Sequence, residues 1–260
     1  MGRCLIGTLR KRIDLRFAER GGPCITVSMV SFDMMLVDHF GVDHDAQACA
    51  PPGVETRLYG PVRRGTDIAV AGLTILFILP LLIMISLIVW LQDGGAPIYA
   101  QERIGRGGRV FRCYKFRSMV VDSRARLERL LTECPEAREE WERDHKLRRD
   151  PRITPIGGFL RKSSLDELPQ LFNVLGGTMS LVGPRPIVAA EVARYGRRII
   201  HYYAVRPGIT GLWQISGRND VSYRRRVALD CAYVKHRSLV LDFKILTATV
   251  PMVLLRRGSY

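Results

Sequence analysis

The chain has 260 residues, enough for one or two domains around a buried core, and its 47% hydrophobic content excludes a disordered polypeptide. Its net charge of +15 is uneven: residues 1–66 hold 9 Lys and Arg against 7 Asp and Glu, whereas residues 155–260 hold 16 against 6. A basic C-terminal half wants an anionic partner, and six scattered cysteines with no CxxC pair or nearby His exclude a zinc site and read as reduced thiols.

Residues 1–60 are poorly patterned and read as a flexible extension, with a short helix near residues 27–37 and a break at Pro51-Pro52-Gly53. No apolar run follows the early basic residues, so no signal peptide is read there. His39, Asp43, His44 and Asp45 stand close together and read as a surface loop.

Residues 68–91 carry no charge over 24 positions. A straight helix of that length would be about 36 Å, enough to cross a bilayer. Pro80 sits at its middle, where proline removes a hydrogen bond and bends the chain. Arg63 and Arg64 precede the run, and Arg103, Arg106 and Arg109 follow it. Positive charge on both sides gives a straight span no orientation bias. It suits a helix that enters, breaks at Pro80 and returns to the same face; a kinked spanning helix is the alternative. A bilayer segment also sets nucleic acid aside as the anionic partner.

A hairpin comes next. Pro97–Glu102 is β-prone, Gly105–Gly108 is the turn, and Arg109–Phe116 alternates apolar and polar residues as a half-buried strand does. Lys115 and Arg117 then point away from Phe116, as solvated charges or as phosphate ligands. Residues 122–147 read as a charged surface helix. In Arg161–Pro186, RKSSLDELPQLFNVLGGTMSLVGPRP, Ser164 and Glu167 have capping-box spacing. That puts Asp166 and Glu167 in a first helical turn, where the dipole favours negative charge and lowers carboxylate pKa values. Acidic residues at helix starts are also ordinary structure. Pro184 and Pro186 fix the backbone around Arg185, which lowers the entropic cost of presenting its fork to a phosphate. Residues 188–203 read as a basic amphipathic helix, residues 206–220 as a second Gly/Pro/Arg loop, and residues 221–236 as a helix. Residues 239–255 read as an interfacial or core-packing helix.

These stretches together resemble the bacterial sugar transferases, the monotopic polyprenyl-phosphate hexose-1-phosphate transferases. The likeness rests on the proline-interrupted apolar segment, KFRSM at 115–119, the 161–186 stretch, RPGITGLWQISGRND at 206–220 and Tyr233-Val-Lys235, and covers about residues 62–260. Within the family, the short length, NDVSY at 219–223 and the RGSY ending are most similar to the exopolysaccharide-pathway galactosephosphotransferases. The resemblance implies transfer of a hexose-1-phosphate, galactose-1-phosphate ahead of glucose-1-phosphate, from a UDP-sugar to undecaprenyl phosphate with release of UMP. It implies an Asp-Glu dyad with Mg²⁺: Asp166 as nucleophile, and Glu167 with Asp166 at the metal. Arg161, Lys115 and Arg185 would neutralise phosphoryl oxygens, with Arg117, Arg206 and Arg218 as further phosphate-binding candidates. The expected architecture is α+β and mainly helical: an extension over 1–60, a re-entrant membrane helix over 61–95 broken at Pro80, and a cytosolic catalytic domain over 96–260 with a small β-hairpin and amphipathic interfacial helices. The expected place is the cytoplasmic face of a bacterial inner membrane, in contact with membrane lipid and without nucleic acid; the interfacial helices could support a homodimer. A non-catalytic, membrane-anchored basic scaffold is the reading from another class, and a scaffold has no need of an acidic dyad among arginines.

Overall fold

The computed structural model describes residues 59–144, 147, 150–217 and 221–254. The expectations for residues 1–58, and for Arg218, lie outside the described residues. The apolar run forms one helix, α1 (Tyr59–Leu91), of 33 residues and about 50 Å. The expected break at Pro80 is absent, because the helical run passes through the proline. Ile75, Ile78, Leu81, Leu82 and Ile85, on either side of it, pack into shared cores, which offsets the one hydrogen bond that proline cannot donate. A single stripe of α1 is buried (Asp67, Ala71, Leu82, Ile85 and Val89), while Leu73, Leu76, Phe77 and Ile83 are exposed, Phe77 by 87%.

Both ends of α1 are fastened to the same body. At its start, Asp67 accepts hydrogen bonds from the Ser180 hydroxyl (2.8 Å) and the Leu181 amide (3.0 Å). Arg63 donates to the Ser180 hydroxyl, the Val182 carbonyl and the Tyr233 hydroxyl, and pairs with Asp242 at 3.1 Å. At its end, Arg117 donates to the Val89 carbonyl (3.2 Å) and grips Asp93 with both terminal nitrogens. The buried Arg63–Asp242 ion pair does little for net stability, since desolvation cancels most of the Coulombic gain. Its consequence is positional.

The hairpin forms as expected. β1 (Ile98–Ile104) pairs antiparallel with β2 (Val110–Phe116), Ile98 opposite Phe116, through a 3₁₀ turn at Arg106–Gly108. Phe116 is buried, and its neighbour Lys115 faces the other way, as strand alternation requires. The charged stretch divides at Pro135 into α2 (Ser123–Glu133) and α3 (Pro135–Asp144). α4 (Pro155–Ser163) opens with Pro155 in its first turn and the Thr154 hydroxyl accepting from the Gly157 amide at 2.9 Å. A 3₁₀ turn (Leu165–Glu167) and α5 (Gln170–Leu175) follow.

β3 (Ser180–Val182) pairs parallel with β4 (Gly208–Thr210), a contact that the sequence reading did not anticipate. Strands of three residues are too short to show alternation. The trace they leave is glycine: a Cβ on Gly208 would stand 2.1 Å from the Gly183 amide nitrogen. The rest is α6 (Ala189–Tyr195), α7 (Ile199–Ala204), α8 (Leu212–Ile215), α9 (Tyr223–His236) and α10 (Leu239–Leu254). The single basic helix expected over 188–203 is two helices parted at Gly196, whose φ of 53° ends the first. Its tyrosines are not spread on a surface. Tyr195 and Tyr202 are buried with Ile104, Ile187, Val227 and Cys231. In α10, Leu241 and Ile245 enter the main core and Phe243 and Val240 stay exposed. The architecture is mainly helical with two small sheets and one long apolar helix.

Candidate active site

Three segments meet around Asp166 and Glu167. The first is the end of β2, which carries Lys115. The second is α4, which carries Arg161 near its end. The third is the 3₁₀ turn itself. Ser164 joins α4 to the turn with φ 58° and ψ 13°; it is the one non-glycine residue with positive φ among the described residues. Such a conformation costs of order 1 kcal/mol and persists where surrounding structure imposes it. It reverses the chain directly after α4, so that the two carboxylates turn back toward β2. The expected capping box is not made. Ser164 contributes no side-chain cap, and the helix lies before it rather than after, because Thr154 and Pro155 supply the stronger start signal.

Lys115 stands between the carboxylates. Its Nζ is 2.7 Å from Glu167 Oε1 and 3.8 Å from Asp166 Oδ2. Asp166 is the more buried partner, 9% exposed. Burial raises its pKa to about 6, against the opposing fields of Lys115 and Arg161. The sequence predicts the reverse direction from a helix dipole. A three-residue 3₁₀ turn supplies little dipole, so desolvation wins.

The site is held by residues to which the sequence reading gave no role. Ser118 is a latch. Its hydroxyl accepts from Arg161 Nε at 2.8 Å, its carbonyl accepts from the Thr154 amide at 3.2 Å, and Gly157 lies against it. Both ends of α4 are thus fixed to one residue of the KFRSM stretch. Asn173, buried in α5, ties that helix to the strand that carries Lys115. It accepts from the Tyr114 amide (2.9 Å) and donates to the Arg112 carbonyl (2.7 Å). Arg103 of β1 donates to the Pro186 carbonyl at 3.1 Å, next to Arg185. Hydrophobic patterning carries no signal for any of these; Ser118 and Asn173 are ordinary letters whose partners are remote in sequence.

The other predicted phosphate ligands divide. Arg185 lies 5.7 Å above the Trp213 ring. Together with Lys115, Arg103 and Glu167 it acts on the buried Cys113 thiol, whose pKa is raised mainly by burial, so these charges surround one point of β2. Arg117 is turned away, engaged with Asp93 and the end of α1. Arg206 lines a separate cavity with Arg63, Arg64 and Arg106. Among the described residues no cluster of three or more His, Cys, Asp or Glu forms a self-sufficient metal site. Two adjacent carboxylates do fit Mg²⁺, which takes one or two carboxylates and completes its shell with substrate phosphate oxygens and water. The ammonium of Lys115 beside both carboxylates marks the same place as one suited to positive charge.

Residues 58–256 match the bacterial sugar transferase family. The chain is 54% identical over 199 residues to a UDP-galactose-lipid carrier transferase of Erwinia amylovora. It is 52% identical over 199 residues to an undecaprenyl-phosphate galactose phosphotransferase of Salmonella typhimurium. Each alignment covers 76% of this chain and 42% of the relative, so the chain spans about two-fifths of their length. It is 48% identical over 201 residues to the exopolysaccharide production protein ExoY of Rhizobium meliloti, covering 77% of this chain and 89% of that protein.

Proposed function

The chain belongs to the bacterial sugar transferase family, and on that premise we propose that it transfers galactose-1-phosphate from UDP-galactose to undecaprenyl phosphate, releasing UMP, as the first membrane step of exopolysaccharide repeat-unit synthesis. The observation that carries the reading is the buried Asp166 beside Glu167 with Lys115 between them. Galactose rests on the names of the Erwinia and Salmonella relatives, a UDP-galactose-lipid carrier transferase and an undecaprenyl-phosphate galactose phosphotransferase.

In this reading an Asp166 carboxylate oxygen attacks the sugar-side phosphorus of the donor. The bond from that phosphorus to the UMP oxygen breaks, and an acyl phosphate forms on Asp166. An oxygen of undecaprenyl phosphate then attacks the same phosphorus and frees the carboxylate, so one hard displacement becomes two easier ones. Lys115 and Arg161 face the charge that spreads over the phosphoryl oxygens, and Arg185 reaches it from the Pro-Arg-Pro loop. Glu167, with Asp166 beside it, would hold Mg²⁺, which supplies charge neutralisation at the diphosphate. Arg161 is oriented by Ser118, and Lys115 by the β2–α5 tie through Asn173.

In this reading the acceptor phosphate would lie at headgroup level, and the site at the cytoplasmic face of the inner membrane. One helix among the described residues is long and apolar enough to cross a membrane. Both its ends are bound to the catalytic body and it runs unbroken through Pro80, which supports one continuous helix held against that body rather than a segment that turns back on itself. The exposed side chains of α1, with Phe243 and Val240 of α10, supply apolar surface for lipid.

The pKa of about 6 favours a second reading as well, in which Asp166 is the base for direct in-line attack by the lipid phosphate. One experiment separates the two. Full-length protein in nonionic detergent is given UDP-galactose with Mg²⁺ and no lipid acceptor. The covalent route predicts a hexose-phosphate mass adduct on Asp166 with a stoichiometric burst of UMP, and ping-pong kinetics once undecaprenyl phosphate is added and varied; all are lost in Asp166→Asn. UMP release undiminished in Asp166→Asn refutes both roles.

A further inference from the structure

A cavity of about 170 Å³ lies apart from the dyad, lined by Arg63, Arg64, Asp67, Arg106, Ser180 and Arg206. Neither carboxylate of the dyad nor Lys115 or Arg161 lines it. Its charge is lopsided. Of four guanidiniums, Arg63 is paired with Asp242. The single lining carboxylate, Asp67, has both oxygens engaged by Ser180 and Leu181. Arg64 donates to the Val174 and Leu175 carbonyls, and Arg206 Nε to the Gly177 carbonyl; these are helix-end and turn contacts with uncharged acceptors. Arg106, exposed on the hairpin turn, makes no side-chain hydrogen bond or ion pair among the described residues. Three cations therefore share one space with a single carboxylate, Asp67, which leaves the space with an excess of positive charge. Burial, then Arg106 and Arg64, lower the pKa of Arg206, as like charges crowded together do.

Closing α5 requires neither Arg106 nor a space of this size, roughly ten times what one water molecule needs. The planar forks of several arginines converging on one space match the oxygens of a tetrahedral anion. The site's place narrows the source. Arg63, Arg64 and Asp67 occupy the margin just before the uncharged run at 68–91 begins. That margin is where α1 would meet phosphate headgroups.

We propose that this cavity is a second anion site, distinct from the dyad, that takes the phosphate group of a membrane lipid headgroup or free phosphate and so seats the start of α1 at the membrane surface. The site stands whether or not the dyad chemistry is as proposed, because its readout is ligand-dependent stability rather than turnover.

The test uses the full chain in nonionic detergent and follows the thermal unfolding midpoint. The probes are phosphatidylglycerol against phosphatidylcholine at equal mole fraction, and inorganic phosphate against chloride at equal ionic strength. A ligand at about a hundredfold excess over its Kd raises the midpoint by roughly 5–10 °C for a chain of this size. At least half of that shift is lost in Arg106→Gln and most is kept in Arg106→Lys. Arg106 is exposed, so its replacement leaves no buried hole. A shift with phosphatidylglycerol alone assigns the headgroup; a shift with inorganic phosphate as well assigns free phosphate. The Asp166→Asn protein shifts like the native chain. No shift with either probe, a shift untouched by Arg106→Gln, or a shift abolished by Asp166→Asn each overturns the proposal.

Discussion

Replacing Asp230 by asparagine changes how stability depends on pH. Asp230 lies in α9, 2% exposed, and its Oδ2 accepts from the Tyr195 hydroxyl at 2.7 Å. Burial raises its pKa from 3.8 to about 7, against the Tyr195 hydrogen bond and the fields of Arg226 and Arg185. The folded state thus binds a proton that the unfolded state has already released. Below about pH 4 the group is protonated in both states and costs nothing. As pH rises from about 4 to 7, each unit removes about 1.4 kcal/mol, close to 4 kcal/mol in all; above 7 the loss is complete. The side-chain amide of the variant has no proton to lose, and its oxygen still accepts from Tyr195. Asp230→Asn is therefore the more stable protein at pH 8, with the gap between the two midpoints widening by roughly 10 °C from pH 4 to pH 8. Thermal unfolding of both proteins by circular dichroism across that range measures the gap. Other titrating groups, Asp242 and Asp166 among them, are common to both and cancel in the difference. A gap that does not change with pH refutes the reasoning.

Two further substitutions probe the scaffold of the site. A Cβ on Gly157 would stand 1.9 Å from the Ser118 carbonyl oxygen, so Gly157→Ala must push α4 off its latch; overpacking of this kind costs about 1–3 kcal/mol, and an ångström-scale displacement at the dyad costs about 100-fold in kcat. A UMP-release rate within threefold of the native chain contradicts that account. Asn173→Ala strands the Tyr114 amide and the Arg112 carbonyl, costing about 1–3 kcal/mol for each group left without a partner; a lower unfolding midpoint with faster hydrogen exchange at the Tyr114 amide checks it, and unchanged exchange there shows the tie to be idle.

Signals carried by neighbouring letters were readable. The hairpin was visible in the alternation of 109–116 around a glycine turn, and α9 and α10 were read as helices over 221–236 and 239–255. Asp166 and Glu167 stood out because adjacent acids among basic residues are unusual, and the structure places Lys115 and Arg161 beside them. Signals that depend on remote partners were not readable. Ser164 looked like a helix cap, yet it takes a left-handed backbone where α4 gives way to the 3₁₀ turn, and that turn packs against β2. Arg117 and Arg206 looked like phosphate ligands by residue type. Their destinations are set by Asp93 and by the α5 turn, which no local pattern announces. Pro80 looked like a break because proline usually is one. Packing on both sides of it overrode that preference.

The fastening of α1 bears on the order in which the chain matures. Arg63 and Tyr59 bind partners 170 and 183 residues further along, Tyr233 and Asp242. At roughly 5–20 residues per second those partners emerge from the ribosome roughly ten to forty seconds after the helix itself. During that interval the apolar segment is already in reach of the bilayer, but its basic margin has neither Ser180 nor Asp242 to hold it. The segment that meets lipid first is thus the one locked last, and a ribosome stalled before Asp242 would leave a helix free to sample the membrane in orientations that the finished protein forbids.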